Sequence, residues 1–69
     1  MKLDFKTWLK RERLKRGYSQ QDLADKAGVA MFTISNYERG FTKPRIDKLK
    51  KICVALDVEI TKVTKYLED

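Results

Sequence analysis

Residues 19–40 read SQQDLADKAGVAMFTISNYERG, and the fold turns on how this stretch divides. Ser19 can offer its hydroxyl to backbone N–H groups left free in a first helical turn. Asp22 stands where a carboxylate closes a capping box and meets the positive end of the helix dipole. A helix is therefore predicted over Gln20–Ala27. Gly28 follows, suited to a tight turn whose positive φ is costly for a residue with a Cβ. A second helix is predicted from Ala30 or Met31 to Arg39, where Gly40 stops it. Leu23 and Ala27 face inward on one helix, Ile34 and Tyr37 on the other, and Val29 plugs the turn. Ala24 is small where the two helices cross, and a larger side chain there would push them apart.

Upstream, a helix is predicted from about Asp4 to Arg16, with Phe5, Trp8 and Leu9 on one face and Gly17 ending it. Leu14 fits that face poorly. Downstream, Pro44 is expected to open a helix, where its missing N–H costs nothing, with Ile46, Leu49, Ile52, Cys53 and Leu56 as its apolar stripe. A last helix from about Glu59 to Leu67 carries Ile60, Val63 and Leu67 on one side, with Tyr66 off that line. No stretch alternates over a strand's length, so the fold class is all-α with five helices. Trp8 and Cys53 read as core packing.

The 69 residues hold 16 Lys and Arg against 10 Asp and Glu, a net charge of +6. That balance points to a polyanionic partner, with nucleic acid ahead of an anionic membrane. One domain, residues 1–69, is expected. No apolar stretch approaches the roughly 18 residues of a spanning helix, and MKLDFKTWLKRERL lacks a signal-peptide apolar region, so no membrane partner and a cytoplasmic location are expected. One cysteine and no histidine leave no zinc site and no internal disulfide. No paired carboxylate cleft is evident, so neither an enzyme, a cofactor nor a small-molecule substrate is expected.

Two short helices joined at a tight turn make a helix-turn-helix pattern. Through RGYSQQDLADKAGV, TISNYERG and KPRIDKLKKICVALDV, from about Leu9 to Val63, the chain resembles the Cro and phage-repressor type, the XRE-like family of bacterial and phage regulators. The resemblance implies a compact five-helix bundle of the lambda-repressor-like type, with the third helix in the major groove. It puts Met31, Phe32, Ser35 and Asn36 in base-reading places. At about 100° per residue, Phe32, Ser35, Asn36 and Arg39 fall opposite the side holding Ala30, Ile34, Tyr37 and Phe41. A solvated face would account for Ser35 and Asn36, but not for an aromatic ring at Phe32. Here the chain departs from the family, which more often has polar residues at 31 and 32 and Ser or Thr at 30. Ala30 cannot cap a helix.

The resemblance further gives Gln20 a phosphate contact, with Ser19 and Gln21 beside it. Arg39, Thr42, Lys43 and Arg45 are placed along the DNA backbone, with Arg45 approaching the minor groove. It also implies an ion pair between Arg13 and Glu38. The expected function is sequence-specific transcriptional regulation, most simply repression, by a homodimer on a near-palindromic operator. An antitoxin, a restriction-modification controller and a phage lysogeny switch fit the same residues. A protein-binding adaptor using Met31, Phe32 and Tyr37 is the alternative from another class.

Overall fold

The computed structural model describes residues 3–67, and among them every regular element is helical. Four α-helices run in order: α1 (Phe5–Lys15), α2 (Gln20–Ala27), α3 (Met31–Arg39) and α4 (Ile46–Leu56). Each begins or ends on local chemistry. Asp4 caps α1 by accepting the Thr7 N–H at 3.1 Å, and that hydrogen bond holds its carboxyl below the ordinary value. In α2 the capping box is complete, because Asp22 N–H donates to Ser19 Oγ at 3.0 Å and Ser19 N–H donates to Asp22 Oδ2 at 2.9 Å. Gly28 and Gly40 end α2 and α3 with φ of 70° and 78°, where a side chain would be strained.

The core is one cluster in which every α-helix buries one face. Leu9, Leu23, Ile34, Leu49, Ile52 and Leu56 are fully enclosed, together with Val63 from the segment after α4. Trp8 and Cys53 are buried in it, and burial pushes the Cys53 thiol up. Leu14 is exposed, as its poor fit to the α1 face predicts. Val29 packs partly buried against the cluster from the turn between α2 and α3.

Three expectations are corrected. The predicted fifth helix is two short 3-10 segments, Ile60–Lys62 and Thr64–Leu67. Ile60, Val63 and Tyr66 are spaced by three, a period that a 3-10 helix satisfies as well as an α-helix does. Tyr66 lies against the protein, its ring stacked on Trp8 with centroids 5.5 Å apart. Pro44 is buried but stands before the helix, with Arg45 as the N-cap of α4 and no side-chain capping bond. As a result Ile46 sits at the first position and is 58% exposed, outside the apolar stripe. Finally, Ala30 and Phe41 are exposed because they flank α3 and leave the helical wheel that holds Ile34 and Tyr37 inward.

Among the described residues no helix is long and apolar enough to cross a membrane, and no group of acidic, Cys or His side chains could hold a metal ion.

Candidate nucleic-acid interface

The geometry of α3 is set by two buried side chains and one ion pair. Ile34 and Tyr37 enter the core, with the Tyr37 ring edge-on to Phe5 at 6.3 Å. Near the far end, Glu38 receives Arg13 in a two-point grip: Nε donates to Oε2 at 2.7 Å and Nη2 donates to Oε1 at 3.0 Å. The remaining Arg13 nitrogen, Nη1, donates to the Tyr18 carbonyl at 2.8 Å. The Arg13 and Glu38 side chains are only 9% and 4% exposed, and the hydrogen bond to Glu38 raises the guanidinium pKa. A planar guanidinium shared between a carboxylate and a carbonyl fixes direction as well as distance, so α1 and α3 are held at one angle.

The opposite face of α3 is open. Phe32 is 72% exposed and Met31 is exposed beside it, while Ser35 and Asn36 are half-buried at its margin. Ala30 makes no side-chain capping bond, so this open face begins at an uncapped first turn. At the other end, the Arg39 guanidinium lies 5.8 Å from the exposed Phe41 ring, a cation–π arrangement that keeps the charge near the surface. Thr42, Lys43 and Arg45 follow, all exposed, on the connection to α4.

The α2 residues divide. Gln20 is carried to α3, where its Nε2 donates to Glu38 Oε1 at 3.2 Å, so its amide joins the Arg13–Glu38 network. Gln21 donates to Asp25 on its own helix at 2.7 Å, and the Ser19 hydroxyl serves the cap. Both side chains are thus bonded within α2 and its cap.

One basic residue here has no signal in the sequence. Lys6, on α1, lays its aliphatic stem over Gly40. A Cβ at Gly40 would stand 2.9 Å from Lys6 Cδ and 3.6 Å from Nζ. The contact joins residues 34 positions apart, and no spacing rule along one helix reaches it.

Residues 9–63 match the helix-turn-helix family. The regulator SinR of Bacillus subtilis strain 168 is 43% identical over 53 residues, which cover 75% of this chain and 48% of SinR. SlrR of the same organism is 40% identical over 52 residues, 34% of its length, so the chain spans about a third to a half of these relatives. A crystal structure of SinR, described as the master regulator for biofilm formation, in complex with DNA superposes with a TM-score of 0.81. It has 38% identity and covers 87% of this chain and 97% of that one. The restriction-modification controller protein C.AhdI from Aeromonas hydrophila gives a TM-score of 0.81 at 29% identity, over 86% and 89% of the two chains. With the fold, the glycine-ended helices and the match across 9–63 in agreement, this chain belongs to the helix-turn-helix family, of the Cro and phage-repressor type.

Proposed function

We propose that this protein is a sequence-specific, duplex-DNA-binding transcriptional regulator that acts in the cytoplasm as a repressor, with α3 lodged in the major groove. The observation that carries the reading is the open face of α3. A helix buried along Ile34 and Tyr37 exposes Phe32 on its other side, where an unpartnered ring would only lose contact with water on binding. Met31 and Phe32 can meet thymine methyl groups, and Asn36 can pair with adenine through two hydrogen bonds. Arg39, Thr42, Lys43 and Arg45 continue from that face as a basic track along the phosphates, and the Gln20 backbone N–H adds a contact at the start of α2, its side-chain amide being held by Glu38. Similarity to SinR, whose structure was determined in complex with DNA, supports DNA as the partner. Two copies on half-sites about 34–36 Å apart would read a near-palindrome.

A salt titration separates this reading from a protein-binding adaptor that uses Met31 and Phe32. Affinity for duplex DNA should fall by about 0.9 log units per log unit of salt for each phosphate neutralised, whereas an apolar contact should barely respond. An affinity for duplexes of every sequence that is absent at low salt would end the proposal. The methyl-contact part has its own test. Replacing thymine by uracil at the contacted steps should weaken binding, and unchanged binding would exclude it.

A further inference from the structure

We infer that Lys6 and Lys65 extend the DNA-contacting surface by holding one backbone phosphate of duplex DNA in a pocket beside the end of α3. The inference rests on the DNA-binding reading above and deepens it. The pocket encloses about 290 Å³ between the start of α1, the α3–α4 connection and the last 3-10 segment. Phe5, Tyr37 and Tyr66 form its walls, and Lys6, Thr42, Lys43 and Lys65 contribute its polar lining.

Two of those lysines are positioned by contacts that the core does not need. The Lys6 stem crosses the bare backbone of Gly40, which keeps its ammonium beside the end of α3, 3.6 Å from where a Gly40 Cβ would stand. Lys65 Nζ lies 5.3 Å from the Tyr66 ring centroid, so its charge is kept at the pocket wall. Among the described residues, three lysines and one carboxylate, that of Asp4, line the pocket. Asp4 offsets the lysines little. Its Oδ2 is 4.0 Å from Lys6 in an exposed pair, and its Oδ1 accepts the Thr7 N–H. Ammonium groups and a hydroxyl around an apolar wall suit a phosphate, whose charge is screened less there than on an open surface. Thr42 and Lys43 belong both to the pocket and to the proposed phosphate track. A DNA strand following residues 39–45 would therefore pass the pocket mouth, which favours a backbone phosphate over a free anion.

The test is the salt dependence of binding to a random-sequence duplex, measured by fluorescence anisotropy on the full chain, because a phosphate contact carries no sequence information. The double variant Lys6→Gln/Lys65→Gln should reduce the slope of log affinity against log salt by about 0.9. Its dissociation constant, relative to wild type, should then approach the wild-type value about 3.5-fold between roughly 50 and 200 mM salt. A control pair on the exposed side of α4, Lys50→Gln/Lys51→Gln, should leave the slope unchanged. Thermal melts establish that both variants fold. An unchanged slope in the pocket variant, or an equal drop in the control pair, would overturn the inference while a steep wild-type slope left DNA binding standing. So would saturable binding of inorganic phosphate that the pocket variant abolishes without altering the slope, since the pocket would then serve a free anion. If the wild-type chain binds no duplex, the functional reading fails and the pocket assignment fails with it.

Discussion

The two ends of α3 are built differently. At its C-terminal end, Glu38 is gripped by Arg13 and approached by Gln20, Gly40 closes the helix in the left-handed conformation, and Lys6 lies across it. At its N-terminal end, Ala30 caps nothing and Met31 and Phe32 stand in solvent. One end determines the angle of the helix against the body, and the other offers groups to something outside it. An anchored tail with an open head would let the proposed base-reading turns adjust without disturbing the core.

The largest effect should come from breaking the anchor. Arg13→Met leaves Glu38 buried and short of its main partner, so the variant should lose about 3–5 kcal/mol of stability in thermal or urea unfolding. Adding Glu38→Leu should recover most of that loss, because an apolar pair of similar volume strands no charge. A single variant that unfolds at the wild-type temperature would mean that the pair does not hold the two helices.

A smaller change in the opposite direction should follow from closing the open end. Ala30 has the extended backbone of an N-cap, with φ of −72° and ψ of 146°, so Ala30→Ser can receive a first-turn N–H without rearrangement. The gain should be about 0.5–2 kcal/mol in unfolding free energy. A variant no more stable than wild type would show that the α3 head is already ordered by other contacts.

The smallest effect concerns the contrast with α2, whose start is fully capped. Hydrogen bonding to the Ser19 backbone and hydroxyl holds the Asp22 carboxyl below its ordinary value of 3.8. A depressed carboxylate stabilises the fold fully above its unfolded-state value, and that contribution is lost as pH falls through the folded-state value. Melting temperature should therefore drop between about pH 5 and pH 2 more steeply in wild type than in Asp22→Asn. Parallel curves would remove Asp22 from the acid response.

How far the sequence predicts this structure depends on the range of the cause. Ser19, Asp22, Gly28 and Gly40 act on backbone groups within a few residues, so the limits of α2 and α3 are legible in the chain itself. Leu9, Ile34 and Leu49 likewise follow from helical periodicity. Beyond Asp57, periodicity loses its force. Spacing by three fits both kinds of helix, and Thr64 turns its hydroxyl back to the Thr61 carbonyl at 3.3 Å. A side chain bonding the backbone in this way competes with regular helix. Pro44 misleads for a related reason: it fixes its own φ, but the chain enters α4 two residues later. Within the candidate site, the outward set on α3 can be read from the helical wheel. The approach of Gln20 to Glu38 and of Lys6 to Gly40 depends on how separate helices meet, and no local pattern encodes that.

The open face of α3 as a reader of bases is tested most directly by selecting bound duplexes from a random pool with wild type and with Asn36→Ala. Wild type should enrich one two-fold-related sequence, and the variant should lose about 1–3 kcal/mol of discrimination at one position in each half while keeping its affinity for unrelated DNA. Enrichment of the same sequence to the same degree by both proteins, or of none by wild type, would contradict it.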